Sequence, residues 1–112
     1  MKNSTLQTSE FVHNINSGQL DKALKLAKDV SQQDPESPLG YAMLGDALKQ
    51  QGEFEKATFF YRYSLQINPD QPGLYPALGE AYALIGEQDK ALENFSTALN
   101  MAPEDSDVLL TT

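Results

Sequence analysis

The sequence repeats itself every 34 residues, and this period limits the possible folds more than any other feature. Four residue types, namely Pro, Gly, Lys and Ala, keep that spacing through three copies. The positions are Pro35, Pro69 and Pro103; Gly18, Gly52 and Gly86; Lys22, Lys56 and Lys90; Ala23, Ala57 and Ala91. Four types in one register are not expected by chance. The sequence therefore predicts stacked copies of one structural unit.

Each unit has the pattern of two helices. Apolar residues recur at intervals of three and four, which places them on one face of a helix. In the middle copy these runs are Tyr41, Leu44, Ala47 and Leu48, followed by Phe54, Ala57, Tyr61 and Leu65. Ser37 followed by Pro38 is a helix start signal, and Gly52 suits the left-handed backbone that ends a helix. Gly45 is small where the paired helices are expected to cross. Because Pro76 would disrupt a helix interior, we expect the next first helix to begin late, near Gly73 or Leu74.

The 34-residue unit resembles the tetratricopeptide repeat. In the second copy the family's pattern falls on Tyr41, Leu44, Gly45, Leu48, Gly52, Ala57, Tyr61 and Pro69. In the third copy it falls on Tyr75, Leu78, Gly79, Tyr82, Gly86, Ala91, Phe95 and Pro103. The first copy is degenerate, because it keeps the second helix but has Gln7 and Glu10-Phe11 at the signature positions of the first.

The resemblance implies an all-α solenoid, a right-handed superhelix of αα-hairpins with about six helices. It makes residues 1–112 a single domain, with repeats at about 4–37, 38–71 and 72–105. Residues 106–112 would be a truncated fourth repeat or a capping segment. We weigh two explanations for this unfinished end: a longer parent protein, or a second copy that covers the face of Leu92, Phe95 and Leu99 and makes a dimer.

Composition argues against several classes of function. The chain has 16 acidic and 8 basic residues and a net charge of -8, which disfavours nucleic acid and anionic membranes. It has no Cys and no apolar run long enough to span a membrane. The expectation is a cytoplasmic protein without metal or cofactor. His13 is the only histidine, and no nucleophile, phosphate loop or metal-ligand spacing accompanies it, so we expect no enzyme activity.

The resemblance also implies a concave groove lined by the first helix of each pair. The groove positions are Leu39, Ala42, Met43, Asp46, Lys49 and Gln50 in the second repeat, and Gly73, Pro76, Ala77, Glu80, Ala83 and Leu84 in the third. The first helix would add Thr5, Thr8, Ser9, Val12 and Asn16. Some family members clamp the acidic C-terminal tail of a chaperone with Lys, Arg and Asn. The matching residues here are Thr8, Val12, Met43, Gly73 and Ala77, which cannot do so.

We therefore expect a protein or peptide partner that offers apolar anchors and basic residues, with Asp46 and Glu80 holding the basic residue. The alternative for Met43, Ala77 and Leu84 is that they pack between repeats. The predicted function is a non-catalytic interaction scaffold, an adaptor or chaperone-like holder. The alternatives are a recruiting or regulatory arm of a longer enzyme and an acidic secretion-type chaperone.

A second surface is predicted on the convex side. Phe59 and Tyr63 stand four apart at positions where the other repeats have polar residues, with Phe60 beside them. Isolated exposed aromatics often carry no function, but an adjacent pair in one repeat indicates a contact site. It could serve self-association, as could the uncapped C-terminal end.

Overall fold

The protein is an array of six antiparallel α-helices, as the repeat pattern predicts. The computed structural model describes residues 4–101, with side chains from Leu6 onward. The helices are α1 (Ser4–Asn16), α2 (Leu20–Gln33), α3 (Leu39–Gln50), α4 (Phe54–Ile67), α5 (Leu74–Leu84) and α6 (Gln88–Met101). Within that range there is no strand, which confirms the all-α fold. The degenerate first copy does form its first helix. The predicted segment 106–112 and Pro103 lie outside the described residues.

The turn inside each helix pair has the same geometry three times. Gly18, Gly52 and Gly86 have φ of 76°, 86° and 87°, the left-handed region that residues with a Cβ avoid. Around Gly52, the N–H of Glu53 donates to the Leu48 carbonyl at 2.9 Å and the N–H of Gly52 donates to the Lys49 carbonyl at 3.0 Å. This pair of bonds is a Schellman motif, so glycine is required here by the backbone.

The connections between pairs are closed by side chains. The Tyr41 hydroxyl donates to the Pro35 carbonyl at 3.0 Å, and one repeat later the Tyr75 hydroxyl donates to the Pro69 carbonyl at 2.8 Å. The N–H of Leu39 donates to Ser37 Oγ at 3.2 Å, and α3 begins at Leu39, one residue after the position that the Ser37-Pro38 signal predicts.

The late start of the fifth helix is also confirmed. Because α5 begins at Leu74, Pro76 is its third residue. Backbone N–H groups in the first turn of a helix have no partner within the helix. The proline therefore removes no helical hydrogen bond.

The core consists of two apolar clusters. The first joins α1, α2 and α3 through Phe11, Ala23, Ala27, Val30, Met43, Leu44 and Ala47. The second joins α3, α4, α5 and α6 through Leu48, Ala57, Tyr61, Leu74, Leu78, Ala81, Tyr82 and Ala91. Half-buried Leu24 and Phe60 pack against both clusters. Each pair thus buries its apolar face on its neighbour.

Helix neighbours define an inner and an outer side of the array. The backbone of α3 approaches those of α1 and α5 closely, whereas across the described residues the backbones of α2 and α4, and those of α4 and α6, stay farther apart. First helices that lie closer together than second helices give the stack its curvature. The helices α1, α3 and α5 therefore line the concave side, and α2, α4 and α6 line the convex side.

Candidate functional site: the inner groove of α1, α3 and α5

The floor of the groove is built mainly from small and aliphatic side chains. Leu39, Ala42, Ala77 and Ala83 are half-buried there, and Thr8 and Lys49 are also only partly exposed. The exposed groove positions are Ser9, Val12, Asn16, Gln50, Gly73, Pro76, Glu80 and Leu84. The side chain of Thr5 lies outside the described part. These surfaces form a shallow floor in which few groups carry charge.

One predicted groove residue is misplaced. Met43 is 3 % exposed and packs in the cluster between α2 and α3, so its assignment to the groove surface is wrong. Ala77 is half-buried and packs against the other cluster, whereas Leu84 is 54 % exposed. The packing alternative therefore holds for Met43 and in part for Ala77. Leu84 remains available to a ligand.

Asp46 is anchored from below by the neighbouring helix. Tyr61, which has no exposed surface, donates its hydroxyl hydrogen to Asp46 Oδ1 at 2.5 Å. Desolvation raises the pKa of Asp46 above its usual value, while the Tyr61 hydrogen bond and nearby Lys49 act in the opposite direction. The same burial and the Asp46 charge raise the pKa of Tyr61. Among the described residues no second donor reaches the carboxylate, so one oxygen is fixed and the other is available.

Glu80 is paired with a lysine of the preceding repeat. Lys49 Nζ on α3 binds Glu80 Oε1 on α5, and the Lys49 side chain is 18 % exposed while that of Glu80 is 58 % exposed. Lys49 also lowers the pKa of Asp46 through its charge. The protein thus supplies its own cation between the two acids. A ligand cation would meet a free oxygen at Asp46 but would compete with Lys49 at Glu80.

A difference between repeats explains why the two acids behave differently. The residue that anchors Asp46 is Tyr61, and the equivalent position below Glu80 is Phe95, which has no hydroxyl. The sequence pattern predicts equal roles for Asp46 and Glu80, and it indicates neither the Tyr61 anchor nor the Lys49 pair. The signal was present in the Tyr-to-Phe change between positions 61 and 95.

The convex aromatic patch is exposed at two of its three positions. Phe59 and Tyr63 are 55 % and 42 % exposed, and their rings stack with centroids 6.5 Å apart. The Tyr41 ring meets Tyr63 edge-on at 4.6 Å. Phe60 is instead half-buried against both core clusters, so its place in the exposed patch is corrected. The role of Phe59 and Tyr63 as a contact site stays a prediction.

One face of α6 presents large apolar side chains to solvent. Leu92 and Leu99 are more than 60 % exposed, with Phe95 between them at 37 %. In residues 4–101 no cluster of His, Asp and Glu could hold a metal ion, and no helix there is long and apolar enough to cross a membrane. His13 lies exposed on α1.

Comparison with protein families identifies the repeat. Models described as TPR repeat or tetratricopeptide repeat match residues 15–61, 45–86 and 73–105. The chain belongs to the tetratricopeptide-repeat family. These matches cover the second helix of the degenerate copy and both complete copies. A search of curated proteins found no match.

Solved structures share the same fold at low sequence identity. A MamA structure (MSR-1) superposes with a TM-score of 0.76 at 22 % identity, over 92 % of this chain and 59 % of that one. This chain therefore spans less than two thirds of MamA. The first repeat domain of Spaghetti (RPAP3), bound to the HSP90 peptide SRMEEVD, gives 0.81 at 16 % identity over 88 % and 79 %. PcrH, in complex with the chaperone-binding region of PopD, gives 0.81 at 21 % over 93 % and 80 %.

Proposed function

We propose that this tetratricopeptide-repeat chain is a non-catalytic scaffold that binds an extended or helical segment of a partner protein in the inner groove. The anchored carboxylate of Asp46 carries the proposal. It is half-buried on a floor of small side chains; one of its oxygens is held by Tyr61, and no donor from residues 6–101 reaches the other. A preorganised acceptor beside apolar surface suits a segment with apolar anchors and a basic residue.

Two structures of the same fold hold protein ligands, an HSP90 peptide and a region of PopD. The HSP90 type of ligand is disfavoured here. Gly73 and Ala77 stand at clamp positions, Met43 is buried, and the charged groups of the groove are Asp46, Glu80 and one paired lysine. An acidic tail would therefore meet net negative charge rather than a cationic clamp.

The proposal is tested by photo-crosslinking in a lysate of the source cells. A photoreactive amino acid at Leu84 in the groove should capture a partner that the same group at Asp21, on convex α2, does not capture. The captured protein is then purified, and its affinity for the chain is measured by calorimetry. Equal capture from Leu84 and Asp21 would refute a groove ligand.

Two charge variants then test the chemistry of the groove in opposite directions. Glu80→Lys should weaken binding and Lys49→Ala should strengthen it, because the second variant frees a carboxylate for the partner's basic residue. A charge contact at this exposure contributes about 0.2–1 kcal/mol, so each change in affinity should be at most roughly fivefold. The same shift in both variants, or none, would contradict a basic ligand group at this position.

Self-association is a second candidate for the exposed surfaces. The open face of α6 and the stacked Phe59 and Tyr63 both support it, since each presents large apolar side chains to solvent. Light scattering over a range of concentrations tests it. A constant monomer mass at high concentration would exclude both surfaces as dimer contacts.

A further inference from the structure

A second concave feature lies on the convex side of the array, between α2 and α4. The backbones of these two helices stay apart across the described residues, and a cleft of about 360 Å³ opens between them. Its floor is Leu44 and Leu48 of α3, and its walls are Leu24 and Phe60. Asp46 of the inner groove is two positions in sequence from both Leu44 and Leu48 of the cleft, which corresponds to about 200° around α3. The cleft and the inner groove therefore use opposite faces of one helix.

The cleft depends on residues that the next repeat does not share. One repeat later the larger Tyr82 stands at the position of Leu48, and Thr58 and Asn94 stand at the positions of the apolar walls. Lys90 Nζ lies 5.6 Å from the centroid of the Tyr82 ring. The equivalent place is thus filled by an aromatic ring with a lysine above it. The α2–α4 cleft therefore rests on side chains that the next repeat replaces.

The two helices that form the cleft are basic, although the protein is acidic. They hold five of the eight basic residues of the chain: Lys22, Lys25, Lys28, Lys56 and Arg62. They hold only three of the sixteen acids: Asp21, Asp29 and Glu55. Five minus three gives a net charge of +2 on α2 and α4, which leaves -10 for the rest of the chain.

Two of these cations stand at the rim of the cleft. Lys28 and Lys56 both line it, together with Gln51 and Glu53. Lys56 lies 4.0 Å from Glu53, at the limit of an ion pair, and within residues 4–101 no carboxylate pairs with Lys28. The cleft therefore combines an apolar interior with a rim that favours carboxylates. The walls also lead directly to the aromatic patch, since the rings of Phe60 and Phe59 meet edge-on at 5.1 Å.

We propose that the α2–α4 cleft binds an acidic amphipathic helix of a partner protein, which inserts an apolar side chain between Leu24 and Phe60. Its carboxylates lie against Lys28 and Lys56. An open cleft with apolar walls suits the helix-in-groove mode of recognition, in which anchors project from one face of the ligand. The inner groove favours positive charge and this cleft favours negative charge, so the two surfaces select partners of different chemistry.

The test uses a designed peptide as the probe. It is a capped helical peptide of about 18 residues, with Leu at positions i, i+3, i+4 and i+7 and Glu on the flanks of that face. A matched peptide has Lys in place of every Glu. Binding to the ¹⁵N-labelled full chain is followed by NMR. The acidic peptide should give saturable shifts centred on Leu24, Leu48 and Phe60, and the basic peptide should not.

Variants of the protein locate the site. Leu48→Tyr introduces the side chain that the next repeat carries at this position, and it should weaken binding of the acidic peptide by roughly tenfold or more. Lys28→Glu with Lys56→Glu changes only exposed side chains and should weaken binding to a similar degree even if Leu48→Tyr perturbs the core. Lys22 lies on α2 but does not line the cleft, so Lys22→Glu is the matched charge control. This variant should retain affinity close to that of the wild type.

The outcomes separate this cleft from the inner groove. Shifts centred on Ala42, Ala77 and Ala83 would overturn the proposal in favour of the groove, and so would full affinity in the Lys28 and Lys56 double variant. Absence of saturable binding would also overturn it. A dimer in sedimentation that Leu48→Tyr dissociates would show that a second copy occupies the cleft, which again contradicts a partner helix.

Discussion

The close contact of Gly45 with Tyr61 allows a stability prediction with an internal control. A Cβ added to Gly45 would lie 2.6 Å from Cδ1 and Cε1 of the Tyr61 ring. That ring is fully buried and its hydroxyl is bonded to Asp46. One repeat later, a Cβ added to Gly79 would lie 2.9 Å from Cε1 of Phe95, whose ring is 37 % exposed. The same change at equivalent positions thus meets a fixed ring in one case and a movable ring in the other.

The magnitudes follow from three effects. Overpacking of a tight core costs about 1–3 kcal/mol. A hydrogen bond to a charged group contributes about 1.5–3 kcal/mol, and it weakens if the Tyr61 ring moves. Alanine favours a helix by about 1 kcal/mol over glycine, which offsets part of this loss. We therefore expect Gly45→Ala to lower the free energy of unfolding by about 2–4 kcal/mol. For Gly79→Ala the Phe95 ring can tilt into solvent, which relieves most of the strain. The higher helix preference of alanine should offset the rest, so the free energy of unfolding should stay within about 0.5 kcal/mol of the wild type.

Urea unfolding followed by circular dichroism measures both variants against the wild type. Gly45→Ala should unfold at clearly lower urea, with an unchanged slope, while Gly79→Ala should overlay the wild type. If the two variants lost the same stability, the difference between a fixed and a movable ring would not control the result. If Gly45→Ala were as stable as the wild type, the close packing of α3 on α4 would be refuted.

Two further predictions concern the carboxylate and the patch. Burial raises the pKa of Asp46 above 3.8, so the folded state holds this proton more tightly than the unfolded chain does. The stability linked to this proton is present at low pH and is lost as pH rises through the folded pKa. The free energy of unfolding of Asp46→Asn minus that of the wild type, measured by urea unfolding, should therefore be larger at about pH 7 than at about pH 4. An equal difference at the two pH values would contradict a raised pKa. Phe59→Glu with Tyr63→Lys should leave the helical circular dichroism and the urea midpoint almost unchanged, since both side chains are exposed; loss of the fold would place them in the core.

The fold was predictable because its determinants are local and repeated. The left-handed turns at Gly18, Gly52 and Gly86 need glycine at a fixed register, and the helix faces between them follow from spacing alone. Even the late start of α5 follows from the fixed φ of Pro76 and its missing N–H. The same rules hold in each copy, so a wrong prediction at one position is corrected by the equivalent positions of the other two copies.

The details of the groove were less predictable, because they depend on side chains that meet across the stack. Met43 belongs to a helix face that borders both the groove and the α2 contact, and only packing decides which of them it joins. The Tyr61–Asp46 bond spans a turn, and the Lys49–Glu80 pair links two repeats. Neither interaction produces a periodic signal in the sequence, since each is made once.

The division of the core into two clusters has a consequence for how the molecule opens. The helix α3 contributes to both clusters, and the bridging side chains Leu24 and Phe60 are only half-buried. In a repeat array, each unit is stabilised by its neighbours, so local opening can proceed unit by unit. Amide hydrogen exchange should therefore show the pair α1 and α2, which packs on one neighbouring pair among the described residues, exchanging faster than the pair α3 and α4, which packs on a pair on each side. A ligand that bound Leu24 and Phe60 together would slow the opening of α1 and α2, because it would hold the two apolar clusters together where only half-buried side chains connect them.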